Sequence, residues 1–151
     1  MEIREITPAD ATAAATLAGE LGYPMTAEAM RRNIESLSTQ PDKVIFVASL
    51  EGEVIGWIDL SITRHLVSGP RAEIDGLVVS AAVRSRGIGR LLVARAEQWA
   101  AERGLGAVLV RSRMVREDAH RFYLREGYTR TKTSAVFTKE LPAQAGRMGC
   151  D

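Results

Sequence analysis

The stretch Glu73-Ile-Asp-Gly-Leu-Val-Val-Ser-Ala-Ala-Val-Arg-Ser-Arg-Gly-Ile-Gly-Arg-Leu-Leu-Val-Ala-Arg-Ala-Glu-Gln-Trp99 decides how the chain is read. Its first third is a strand. Ile74, Leu77, Val78 and Val79 supply apolar and β-branched side chains, and Gly76 among them signals a bulge or a close approach by another group. Its last third is a helix. Ile88, Leu91, Leu92, Ala96 and Trp99 recur on one face of a 3.6-residue period, with Arg90, Arg95, Gln98 and Glu102 opposite.

Between the two lies Arg84-Ser85-Arg86-Gly87-Ile88-Gly89-Arg90. Two glycines remove side chains where the first backbone N–H groups of the helix point outward. Free donors, the positive end of the helix dipole and three arginines together make a phosphate cradle. A Rossmann fingerprint would need a third glycine where Leu92 stands, and no Gly-Lys-Ser/Thr run of a Walker loop occurs.

An Arg84-x-x-Gly87-x-Gly89 segment between a Leu-Val-Val strand and an amphipathic helix resembles the acyl-CoA-binding motif of the GCN5-related N-acetyltransferase (GNAT) superfamily. The predicted element order over residues 1–141, β, α, α, β, β, β, α, β, α, β, is similar to the whole fold of that family. The resemblance implies an α/β (α+β) domain with a mixed, mostly antiparallel sheet of six to seven strands and about four helices. It also implies central strands that splay apart around the pantetheine arm of acetyl-CoA. Carried onto this sequence, the arm meets Leu77, Val78 and Val79. The pyrophosphate meets Arg86, Gly87, Ile88, Gly89 and Arg90, Arg84 and Ser85 belong to the same coenzyme-binding segment, and Gly76 sits near the bulge that opens the splay.

The remaining elements follow from local signals. Met1 to Ile6 reads as a short strand, and Thr7-Pro8-Ala9-Asp10 as a cap, a first-turn proline and a first-turn acid. Ala13, Ala14, Leu17, Ala18 and Leu21 mark a helix that Gly22 ends. Thr26 caps a second helix with Met30, Ile34 and Leu37 inward. Thr39 to Lys43 reads as a loop. Val44–Leu50 and Val54–Ile62 around Glu51-Gly52-Glu53 form an antiparallel hairpin, and Arg64 to Arg71 reads as a turn into the central strand. Ala107 to Arg111 begins another strand, Ala119 to Tyr123 lies on a short helix stopped by Gly127, Ala135 to Leu141 is a last strand, and residues 142–151 form a tail.

With 151 residues the chain suits one domain. Twenty Lys+Arg against nineteen Asp+Glu give a formal net charge of +1, so no global attraction to nucleic acid or anionic membranes is expected. No apolar run is long enough to span a bilayer and no secretory leader is recognisable. The single cysteine, Cys150, cannot form an internal disulfide, which fits a cytoplasmic setting. Two separated histidines and one cysteine offer no familiar metal-ligand spacing, so no metal is expected.

Acyl transfer from a thioester to an amine needs a neutral nucleophile, a polarised carbonyl and a proton for the departing thiolate. Tyr123, in a Phe-Tyr-x-x-x-Gly-Tyr run resembling the family segment whose tyrosine faces the coenzyme sulfur, is the candidate for the last role. A tyrosine buried for packing is the alternative. Glu73 and Asp75 lie two apart on one strand, hence on one face. Glu73 aligns with a position from which some family members recruit a base, and Asp75 would grip the acceptor; both could equally be solvated strand carboxylates. His120 is a further candidate base or a packing partner. Arg116 stands where many family members carry a coenzyme-binding asparagine, and its guanidinium would reach a phosphate instead.

Tyr23, Met25 and Trp57, with Pro24, Asp59 and Met114 nearby, are the expected acceptor-binding residues. The activity implied is transfer of an acetyl group from acetyl-CoA to a primary amine of a small molecule, in a ternary complex without an acyl-cysteine. Acetylation of a protein or peptide, or a non-catalytic acyl-CoA sensor, are the alternatives. A homodimer is common in the family.

Overall fold

In a computed structural model the described residues are 1–84, 86–111 and 117–142. They fall into two compact units, Met1–Arg116 and Glu117–Asp151. The first unit carries a five-stranded sheet in the order β1-β2-β3-β4-β5, formed by Glu2–Glu5, Lys43–Leu50, Glu53–His65, Gly69–Val79 and Val108–Val110. Strands β1 to β4 are antiparallel, and β5 joins β4 in parallel. Three helices belong to this unit, α1 (Ala11–Leu21), α2 (Ala27–Leu37) and α3 (Ile88–Glu102).

Capping chemistry places the first two helices. Asp10 Oδ2 accepts from the Thr7 amide at 2.8 Å and closes a capping box around a 3₁₀ turn at Pro8–Asp10. Both oxygens of the same carboxylate take a bidentate pair of bonds from Arg4, at 2.8 and 2.9 Å, which ties β1 to the start of α1. Thr26 caps α2 by accepting from Ala29 N at 3.0 Å.

Successive residues of a strand point to opposite faces, and two neighbours on β3 show what covers each. Trp57 Nε1 donates to Ala14 O of α1 at 3.2 Å. A Cβ at Gly56 would meet Leu92 Cδ1 of α3 at 3.3 Å. Helix α3 therefore packs on one face and α1 on the other. Helix α3 buries Ile88, Leu92, Val93, Ala96, Trp99 and Ala100. Leu91, expected inside, is 44% exposed, while Val93 takes the inward place. Arg95, expected on the solvent face, is half-buried with its guanidinium 4.4 Å from the centre of the Phe46 ring. A broader apolar stripe than the expected one, rotated by one position, accounts for both differences.

The β3–β4 turn is tighter than the sequence suggested. Pairing runs out to His65/Gly69, so residues 64–65 and 69–71 belong to strands. In the second unit α4 spans Glu117–Arg125 and ends where Gly127 adopts φ +91°. The strand expected over Ala135–Leu141 is not formed: the described residues beyond α4 hold no strand, and Val136, Phe137 and Leu141 are exposed. A strand is completed only by a ladder partner, and none pairs with this segment among the described residues. The sheet thus has five strands there, against the six to seven expected. No helix among the described residues is long and apolar enough to cross a membrane.

Candidate active site

Strand β4 changes character at Asp75. Leu60 pairs with Ile74 and Asp59 with Gly76, so β4 carries one extra residue, Asp75, as a bulge. The ladder to β5 covers only Ala72/Val108, Glu73/Leu109 and Ile74/Val110. Among the described residues Leu77, Val78 and Val79 keep β3 on one side and have no strand partner on the other. An extended group could pair with that exposed edge as a short peptide would. Gly76 is needed for space: a Cβ there would stand 3.0 Å from Trp57 Cζ3.

Past the strand, a 3₁₀ turn at Ala81–Val83 leads to Arg84, whose Nε donates to Val79 O at 3.3 Å. Gly87 caps α3 with φ +78°, a left-handed conformation that a side chain would strain. Leu91 N donates to Gly87 O at 3.1 Å, so the amides of Ile88 and Gly89 come before the first intrahelical bond. Arg84 and Arg86 are exposed beside them, Ile88 is buried, and Arg90 is exposed on the first turn. The cradle is sterically open at Gly87, where a Cβ would find nothing within 4 Å. Ser85 and Arg116, and with them Met114 and Cys150, lie outside the described residues.

Charged side chains gather on the α1/α2 side of the bulge. Lys43 Nζ donates to Asp59 Oδ1 at 2.6 Å and to Asp75 Oδ2 at 3.0 Å. Arg111 Nε lies 3.6 Å from Glu73 Oε2. Burial pushes the Glu73 carboxyl above its ordinary range, the Asp75 charge adds to this, and Arg111 opposes it. Burial likewise raises Asp59 despite the pull of Lys43. Burial works against the Lys43 ammonium too, but the two carboxylates outweigh it and hold Lys43 above its ordinary value. Among the described residues Asp59, Glu73 and Asp75 thus share Lys43 and Arg111, beside the last described pair of the β4–β5 ladder.

A cavity of about 140 Å³ opens next to this cluster, lined by Ile6, Ala14, Met30, Asn33, Ile34, Leu37, Ile45, Trp57 and Asp59. Of the expected acceptor-binding residues, Trp57 lines it. Tyr23 is exposed and Met25 half-buried in the α1–α2 connection, and neither lines this cavity. The apolar positions of α2, read as core, include Met30 and Leu37 on the cavity wall. The structure brings Glu73 and Asp75 together, as expected from their spacing. Lys43, expected in a loop, and Arg111, expected on the strand after the long helix, are additional members. A lone aspartate on a strand face with Ile55 and Trp57 is the signal that called for a cationic partner.

In the second unit Tyr123 is half-buried on α4, edge-on to Phe122 and to Tyr128 with ring centres 5.2 and 5.7 Å away. Tyr128 N donates to Tyr123 O at 3.0 Å and Gly127 N to Leu124 O at 3.2 Å, a Schellman ending that folds Tyr128 back onto Tyr123. His120 is half-buried on the same helix.

Comparison with known proteins adds to this geometry. A model of the acetyltransferase (GNAT) family matches residues 11–128. Aminoalkylphosphonate N-acetyltransferase of Salmonella typhimurium is 36% identical over 126 residues, 83% of this chain and 78% of that one. Aminoglycoside N(6')-acetyltransferase type 1 of Stenotrophomonas maltophilia is 27% identical over 148 residues, 95% of each chain. Among solved structures, aminoglycoside N-acetyltransferase AAC(6')-Iy in complex with CoA superposes with a TM-score of 0.83 at 20% identity, covering 93% of this chain and 95% of that one. A putative acetyltransferase from Agrobacterium tumefaciens gives 0.83 at 25% identity, with 92% and 100% covered.

Proposed function

The chain belongs to the acetyltransferase (GNAT) family, and we propose that it moves an acetyl group from acetyl-CoA to the primary amine of a small molecule, by direct attack of the acceptor. One observation carries this reading: the bulge at Asp75, the end of the β4–β5 ladder and a set of carboxylates beside a small cavity coincide at one place. The relatives named for acetylating an aminoalkylphosphonate or an aminoglycoside support a small amine as acceptor.

The residues present fit the coenzyme. The edge of Leu77, Val78 and Val79 suits the amide-bearing arm, while Arg84, Ser85, Arg86, Gly87, Ile88, Gly89 and Arg90 suit the diphosphate through helix-end amides and positive charge. Arg116 is proposed to add a further phosphate contact. Bound acetyl-CoA supplies an activated carbonyl next to a good leaving group.

An amine arrives protonated at neutral pH and must lose that proton before it can attack. Glu73, whose carboxyl burial raises above its ordinary range, is the base, acting directly or through a water. Asp75, held by Lys43, orients the nitrogen. Tyr123 Oη holds the proton that the leaving sulfur takes. Much of the acceleration comes from holding the two reactants together.

Calorimetric titration with CoA, followed by thiol release from acetyl-CoA over a panel of free amines and peptides, tests the reading. CoA uptake with thiol release on free amines is expected. Uptake with no transfer to any acceptor would assign a sensor, and labelling of peptides alone would assign a protein acetyltransferase.

A further inference from the structure

The cavity wall is apolar apart from Asn33 and Asp59, and the one carboxylate on it is already answered from within the chain. Lys43 Nζ sits 2.6 Å from Asp59 and 3.0 Å from Asp75, its side chain only 18% exposed. It is placed at the first residue of β2, across from Ser61 of β3, and so reaches over β3 to Asp75 at the bulge on β4. We propose that Lys43 is a specificity-determining residue: its ammonium occupies the position between Asp59 and Asp75 that a second ammonium of a polycationic acceptor would need. The acceptor is thereby a monoamine whose apolar arm enters the cavity.

This deepens the acetyltransferase reading and rests on it. Asp59 on the cavity wall and Asp75, which shares Lys43 with it, would otherwise form a receptor for a diamine or polyamine. With Lys43 in place, a second ammonium meets either a like charge or an apolar wall, and both are unfavourable. An apolar arm meets neither obstacle. Ile6, Met30, Ile34, Leu37, Ile45 and Trp57 offer it contact, and about 140 Å³ is close to the roughly 150 Å³ cavity known to hold a benzene ring. An alkyl or aryl arm of about six carbons therefore fits. Glu73 pairs with Arg111, whose Nε lies 3.6 Å away, while the carboxylates that hold Lys43 are Asp59 and Asp75.

n-Hexylamine and 1,6-diaminohexane differ by one terminal ammonium and make the test. At saturating acetyl-CoA the wild-type protein is expected to favour hexylamine by roughly tenfold or more in kcat/KM, chiefly through KM, a discrimination typical of one misplaced charge. In Lys43→Met the ratio falls toward one or reverses; in Lys43→Arg, which keeps the charge, the preference for hexylamine persists. A wild-type ratio within about twofold, or an unchanged ratio in a Lys43→Met protein that still binds CoA, overturns the assignment alone. CoA uptake without transfer to either of these amines or to any other amine overturns the parent reading and this one with it. The wild-type ratio decides the matter even if Lys43→Met does not fold.

Discussion

Gly76→Ala is a sensitive probe of the bulge. Gly76 does not lie at positive φ, so strain of the backbone is not at issue; space is. The added methyl would stand 3.0 Å from Trp57 Cζ3 and 3.4 Å from Cη2, against ordinary carbon contacts of about 3.5–4.0 Å. The indole must therefore move by about half an ångström or more, yet its Nε1 is held to Ala14 O at 3.2 Å. Overpacking costs about 1–3 kcal/mol and a weakened hydrogen bond about 1 kcal/mol, while replacing glycine in a strand returns about 0.4–1 kcal/mol. The net expectation is a loss of about 1–3.5 kcal/mol, or roughly 2–14 °C in Tm. Because Trp57 lines the cavity beside Asp59, KM for the acceptor should rise while CoA affinity, proposed to rest on α3 and the β4 edge, holds. Urea denaturation with Trp57→Phe as partner completes a double-mutant cycle. The smaller ring lacks the six-membered part of the indole, so the two changes should be coupled, with the double variant less destabilised than the sum. Strict additivity, or a Gly76→Ala protein as stable as wild type, would refute the packing argument.

Other consequences follow from the charged groups. Asp10→Ala leaves Arg4 and the Thr7 amide without their acceptor and should cost about 2–3 kcal/mol by urea titration, the low end for a broken pair because Arg4 is partly exposed. Arg4 holds the Asp10 carboxyl below its ordinary 3.8, so its stabilisation is present above that pH and lost as pH falls through the depressed value. The stability gap between wild type and Asp10→Ala should accordingly shrink in acid. Arg111→Met removes the cation that opposes the rise at Glu73, and the acidic limb of the kcat/KM profile should move to higher pH; a limb that stays put or moves down counts against Glu73 as the base. Tyr123→Phe should lower kcat by roughly 10²-fold with CoA affinity unchanged in calorimetry, whereas a loss of affinity equal to the loss of kcat would assign the ring to binding.

Local chemistry made much of this fold readable before any coordinates. Glu51 and Gly52, at φ +52° and +82°, form the turn of the hairpin that the alternating strands on either side demanded, with Glu53, read as part of the turn, already in the second strand. Gly22 and Gly127 stop helices where the apolar period ends. Glu73 and Asp75 share a face because side chains alternate along a strand, and the glycines at α3 advertise a cradle because only a side-chain-free turn leaves helix-end amides exposed. Each of these depends on a few consecutive residues, and the sequence holds them side by side.

What the chain order could not disclose is which distant residues answer one another. Lys43 and Asp75 are 32 positions apart, and their meeting depends on the register of two hairpins and on one extra residue at the bulge. The inward turn of Val93 in place of Leu91, and the use of Met30 and Leu37 as cavity wall, likewise depend on what packs against each helix. The missing strand over Ala135–Leu141 makes the same point, since apolar alternation suggests a strand but only a partner's backbone completes one. The sequence by itself determined most of the elements and the glycine-rich turn at the start of α3, because those rest on local propensity and caps. Tertiary structure alone decided the charged cluster and the cavity beside it, because charge balance and cavity shape are properties of elements brought together.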